Sequence, residues 1–187
     1  MGYEQRTLAG AISFREYNQS MAYFVTFTTY GTHLPGDSRG SWDRHVGRLL
    51  TQSALETSAK QLMPQSPFRL EHVEDRLMVR DAIVQVCRHR EWRLIALHVR
   101  FEHIHGLVQA EGATPEKVIG AWKAYASRAL KVRWPNRQHF WARGGDTRTV
   151  QGPVDRVIAY VLDHQGDQME TYDASTNSSY PTTDVVG

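Results

Sequence analysis

A chain of 187 residues with 22 Lys and Arg against 20 Asp and Glu, and 41% hydrophobic residues, has the balance of an ordinary globular domain able to bury a real core. It has no apolar run of membrane-spanning length and no basic n-region leading an apolar stretch in residues 1–20, which argues against a membrane span and a secretory leader. A formal net charge of +2 does not by itself demand a nucleic-acid partner, and the single Cys87 excludes an internal disulfide and fits a reducing cytoplasm.

Residues 1–20 show no period and are expected to be a disordered extension ahead of a natural start at Met21. The aromatic and β-branched run 22–30 reads as a strand, and 31-GTHLPGDSRG-40 as a long functional loop. Helices are expected around Gln52–Leu62, ending before Pro64, and over Asp75–Glu91. Two strands, 92–100 and 103–110, are so close that they form a hairpin turning near Arg100–Glu102. Thr114, Pro115 and Glu116 start a helix as N-cap, first position and first-turn acid, and Trp134-Pro135 ends it. Its apolar stripe includes Val118, Ile119, Trp122, Ala126 and Leu130; Trp122, like Trp141 further on, reads as core. A strand-like stretch 138–150 is interrupted by Gly144-Gly145, and a last helix is expected over Pro153–Gln165, stopped by Gly166. The domain is thus expected over 21–170, with a disordered tail over 171–187. Without the helix near residue 52, the order is β-α-β-β-α-β, the ferredoxin-like split of an α+β fold, with an added C-terminal helix carrying Tyr160.

The segment 100-RFEHIHGLVQA-110 places His103 and His105 two residues apart in an apolar strand. Side chains at that spacing share a face, with Cα atoms roughly 7 Å apart, which suits a divalent metal. A cupin-type strand wants an acid three or four residues after the second histidine, but the next acid here is Glu111. A closed structural zinc site wants four ligands, and one cysteine leaves only an all-histidine set. On the last helix, Tyr160 and His164 stand one turn apart, with Gln165 close by. Basic residues are dense from Lys117 to Arg156, a hint of a basic face.

The blocks 24-FVTFTTYGTHLPGDSRGSWD-43, 92-WRLIALHVRFEHIHGLVQA-110, 122-WKAYASRAL-130, 139-HFWARGGDTR-148 and 157-VIAYVLDHQGD-167, in that order, resemble the single-tyrosine HUH transposases, and more closely the REP-associated tyrosine transposases. The resemblance implies a ferredoxin-like endonuclease with both histidines on a central strand and Tyr160 as nucleophile. It implies a divalent metal, Mg2+ or Mn2+, on His103, His105 and a third donor from the tyrosine helix. Helix geometry favours His164 as that donor, the family pattern Gln165. Imidazole donors suit manganese better than magnesium. The implied substrate is single-stranded DNA carrying a hairpin, handled by a cytoplasmic, nucleoid-associated monomer or homodimer. Where relatives carry Asn before the first histidine this chain has Glu102, which either orients an imidazole or caps the turn. Candidate DNA contacts are Lys123 and Arg128 on the Trp122 helix, Arg143 and Arg148 around the glycine pair, and Arg39, Trp42 and Arg44 in or after the long loop. Two other readings compete: a domesticated hairpin-binding protein with weak or lost catalysis, and an unrelated His-x-His metal hydrolase.

Overall fold

The structure is a computed structural model that describes residues 21–38, 41–43, 47–49 and 51–176. It opens with β1 (Ala22–Thr28), whose residues alternate between the two faces of a sheet. The short strands β2 (Ser41–Asp43) and β3 (Gly47–Leu49) pair apart from it, and α1 (Ser53–Gln61) follows. Next come α2 (Val73–His89), β4 (Arg93–Val99), β5 (His103–Gln109) and α3 (Pro115–Leu130). The chain continues through β6 (Asp146–Val150), α4 (Asp155–Leu162) and β7 (Glu170–Asp173). The main sheet has the order β6-β1-β5-β4-β7, with every pairing antiparallel. Without β7 this is the expected ferredoxin-like split, and the fold class is α+β.

The two faces of the sheet are covered by different helices. On one, Val79, Ile83 and Val86 of α2 join Val118, Trp122, Ala126 and Leu130 of α3 in packing on Tyr23, Val25, Phe27, Leu97, Ile104 and Val108. On the other, Val157, Ile158, Val161 and Leu162 of α4 pack on Ala22, Ile95, Ala96 and Leu107. Thr114 caps α3 as expected, its side chain accepting from the Lys117 amide. Gly106, in the middle of β5, leaves room for the fully buried Trp122: a Cβ there would stand 2.7 Å from the indole Cη2. Cys87 is buried in the same core, and burial pushes its thiol up to about 12, so it is an inert packing residue.

Three expectations need correction. The last helix does not run to Gln165 but ends at Leu162. The Val161 carbonyl, which a helical Gln165 amide would claim, lies 3.0 Å from His98 Nδ1, and the Gln165 side-chain amide donates to the Tyr160 carbonyl at 2.9 Å. The strand β7 crosses the expected domain end at residue 170, because Glu170 forms a close ion pair with Arg76 of α2 and the strand completes the edge beside β4. Lys123 does not project to solvent as a free cation: its Nζ donates to the Ala142 carbonyl at 2.7 Å and to the Gly144 carbonyl, fastening the glycine loop to α3. The expectations for residues 1–20 and for the tail beyond 176, and the candidates Arg39 and Arg44, lie outside the described residues.

Candidate active site

Register across the sheet builds the site. Thr26 of β1 stands opposite His105 of β5, which stands opposite His98 of β4. Antiparallel partners share a face, so these three side chains form a row on the α4 side of the sheet. One step along, Thr28 is opposite His103. The His103 and His105 rings are nearly parallel, at 8°, with centroids 5.8 Å apart. The pair expected from spacing is therefore present, on a central strand.

Each imidazole is held differently. His105 Nδ1 lies 3.1 Å from Thr26 Oγ1, which leaves Nε2 as the nitrogen available to a ligand. His98 is pinned from two sides. The Met169 amide can only donate, so His98 Nε2 accepts from it at 3.2 Å and Nδ1–H donates to the Val161 carbonyl. Burial, partly offset by that carbonyl, lowers the His98 pKa, and this neutral imidazole ties both the end of α4 and the chain beyond it to β4.

His105 is 8% exposed, and burial, reinforced by His103, His98 and Arg100, pushes its imidazole down to about 4. Its folded pKa lies below the unfolded value, so the unfolded chain binds the proton first as pH falls. Stability attached to His105 is therefore intact at neutral pH and is lost between the unfolded pKa and about 4, by about 3 kcal/mol at most. Urea-unfolding midpoints across the acid range should fall less steeply for His105→Gln than for the wild type; equal slopes would remove His105 from the account.

Tyr160 sits on α4 with its ring over the histidine row. Its centroid is 6.5 Å from that of His105 and 5.8 Å from that of Phe24, both edge-on, and the residue is 45% exposed. An amphipathic helix facing the sheet through Val157 and Val161 places residue 160 at the rim of that contact, beside the histidines yet open to solvent. His164, beyond the helix, is exposed; Gln165 is half-buried and folded back on the Tyr160 carbonyl.

Among the expected DNA contacts, Arg148 stands opposite Phe24 in the β1–β6 register and so faces the Tyr160 side, exposed and 3.4 Å from Asp146. Arg143 is exposed in the glycine loop. Arg128 lies on α3, across the sheet from Tyr160, with its guanidinium 4.2 Å from the Tyr125 ring centroid. Trp42 is in β2. Trp141 is half-buried, its indole N–H donating to the Lys123 carbonyl and to Ser127 Oγ.

Residues not anticipated at the site are Thr26, His98, Arg100 and His33. Arg100 donates to the Asp167 carbonyl at 2.9 Å, holding the turn after α4 against the hairpin. His33, from the loop after β1, brings its Nε2 to 3.0 Å from His103 Nε2. His33, Glu102 and His103 offer ligand atoms within 4.8 Å of one another. Only the turn-rich character of 31–40 signalled that loop; its meeting with β5 spans 70 residues of sequence.

The α+β sheet with its histidine pair and tyrosine belongs to a protein class that moves DNA: residues 68–164, just over half of the chain and inclusive of His103, His105 and Tyr160, match the family described as transposase IS200 like. The chain is a member of the IS200-like transposase family. Two solved structures are similar at low identity. One is a REP-associated tyrosine transposase bound to a REP hairpin, with 14% identity, 88% of this chain and 72% of that chain covered, and a TM-score of 0.42. The other is a candidate transposase from Deinococcus radiodurans R1, with 13% identity, 86% and 98% covered, and a TM-score of 0.42. No curated protein matches the chain. Among the described residues, no helix is long and apolar enough to cross a membrane.

Proposed function

We infer that this transposase nicks and rejoins single-stranded DNA bearing a hairpin, with Tyr160 as the nucleophile. The observation that carries the reading is the half-exposed Tyr160 ring set edge-on to His105, on the same sheet face as His103. In the reaction, the Tyr160 oxygen attacks phosphorus and forms an O–P bond as its proton passes to solvent. The bond from phosphorus to the 3′ oxygen breaks, and that oxygen leaves and takes up a proton. The products are a 5′-phosphotyrosine and a free 3′-OH. Attack by another 3′-OH reverses the step and joins strands, so the bond energy is conserved and no nucleotide cofactor is required.

The chain's part is positioning. Phe24 and His105 flank the Tyr160 ring, and His98 and Arg100 fix the segment behind it. The donor set fits a divalent metal: His105 keeps Nε2 for a ligand, and His103 Nε2 converges with a second imidazole. Such an ion would be held by His103 and His105, with a third donor from Gln165, from His164 or from the loop side. It would supply neutralisation of charge on the phosphate, and imidazole donors suit Mn2+ better than Mg2+. Arg148 and Arg143 are the basic residues proposed to meet the DNA backbone beside Tyr160, with Arg39, Trp42 and Arg44 as further candidates from the loop region.

The test is a covalent-adduct assay with labelled single-stranded hairpin DNA and Mn2+, resolved on a denaturing gel. A protein–DNA band is expected. Binding without a band would favour a hairpin binder, and cleavage without a band a metal hydrolase. Arg148→Glu should weaken hairpin binding about tenfold and flatten its salt dependence, while Arg128→Glu, across the sheet, should change both far less. Equal losses in the two variants would place the DNA elsewhere.

A further inference from the structure

We propose that Arg100 grips the scissile phosphate of the DNA, so that part of the charge developing during attack by Tyr160 is met by this chain's own guanidinium. The proposal rests on the reading that Tyr160 attacks a DNA phosphate, and it names a residue that touches the reacting group.

Strand geometry puts Arg100 beside the histidine row. Its amide donates to the His103 carbonyl at 2.9 Å, so the β4–β5 ladder continues one residue past β4. His98 lies two residues earlier and points to the α4 side, where its Nδ1–H donates to the Val161 carbonyl. The period of a strand sends Arg100 to that same side. There its Nη1 donates to the Asp167 carbonyl at 2.9 Å, in the segment after α4. Burial is the first cause of the low pKa of both His98 and His105, and the Arg100 charge adds to it in both, so the guanidinium stands near both rings.

The charge is presented rather than neutralised. Arg69, Arg76, Arg133 and Arg148 each pair with a carboxylate. Among the described residues Arg100 pairs with none, and its guanidinium donates to the neutral Asp167 carbonyl. Gly166, at φ +84°, keeps the approach open: a Cβ there would stand 3.3 Å from Arg100 Nη2 and 3.8 Å from Nη1. A half-buried cation without a counter-charge, set against two imidazoles, is costly until an anion joins it. The Asp167 bond uses one N–H, and the remaining donors of the planar fork match two non-bridging phosphate oxygens. Arg100 moves no proton and forms no covalent bond. It holds the oxygens on which negative charge grows as the Tyr160 O–P bond forms.

The experiment compares single-turnover adduct formation by the full chain, with Mn2+ and saturating single-stranded hairpin DNA, on two substrates. One carries the ordinary phosphodiester and the other an uncharged methylphosphonate at the scissile position. Arg100→Met should slow the phosphodiester reaction about 100-fold or more. On the methylphosphonate, which has no charge to neutralise, the penalty should shrink to within about fivefold. Arg100→Gln, which keeps a donor for the Asp167 turn, should repeat the pattern. A guanidinium that only holds that turn would slow both substrates alike, and equal losses, or no loss on the phosphodiester, overturn the proposal. If the wild type forms no adduct on any hairpin, the nicking reading falls, and equilibrium binding decides Arg100 separately. Methylphosphonates are then placed one position at a time along the single strand beside the hairpin. The wild type should lose about fivefold in affinity at one position, and Arg100→Met should be indifferent there. The same sensitivity in both proteins overturns the contact.

Discussion

Tyr160→Phe should abolish the covalent protein–DNA band while leaving hairpin binding and folding nearly intact. The substitution removes one oxygen and keeps the ring that packs edge-on to Phe24 and His105, so the aromatic contacts survive. Tyr160 is 45% exposed, so no buried cavity is opened and the melting temperature should stay close to that of the wild type. Under the proposed mechanism, loss of the nucleophile costs on the order of 10^4-fold or more in rate. In the proposed site the neighbouring His105 does not replace it, because its Nδ1 is engaged with Thr26 and its Nε2 is the nitrogen kept for the metal. An adduct persisting in Tyr160→Phe at wild-type yield would move the nucleophile to another residue.

Gly106→Val should destabilise the domain by about 3 kcal/mol or more, although valine is the better strand former. The reason is local. The Gly106 α-carbon faces Trp122, and an added Cβ would stand 2.7 and 2.9 Å from two indole carbons, with Leu97 3.2 Å away on another side. Trp122 is fully buried in the core that the sheet shares with α2 and α3, so it has nowhere to retreat. Gly106 is also flanked in sequence by His105 and Leu107, so a displaced β5 would shift the histidine row relative to Thr26 and His98. Urea unfolding gives the stability. A double-mutant cycle with Trp122→Phe tests the cause, because shrinking the ring should recover part of the Gly106→Val loss. Additive losses would show that the glycine is needed for something other than the indole.

The features legible in the sequence are those fixed by short-range pattern. The β4–β5 hairpin follows from two β-rich runs with almost nothing between them, and α3 from its Thr-Pro-x-Lys opening and apolar stripe. The pairing of His103 with His105 on one face needed only the strand period. The features not legible depend on side chains from distant segments. The end of α4 is set by His98, 63 residues earlier, and β7 by Arg76, 94 residues earlier. A four-residue strand reading ETYD has no signal of its own until an edge awaits it. Lys123 looked like a surface cation because two backbone carbonyls about 20 residues on cannot be seen from helical spacing. His33 was hidden for the same reason: a loop histidine gains a partner only when the sheet register is known.

The sheet divides the molecule into two sides. The α2–α3 side holds Trp122, Cys87 and most of the large buried residues, while the α4 side carries the histidines, Tyr160 and Arg148. Selection can therefore act on the two sides nearly independently. A lineage that stops moving DNA would relax the α4 side first while the other stays constrained by folding. A saturation-mutagenesis map would show the same split, with abundance tracking one side of the sheet and activity the other.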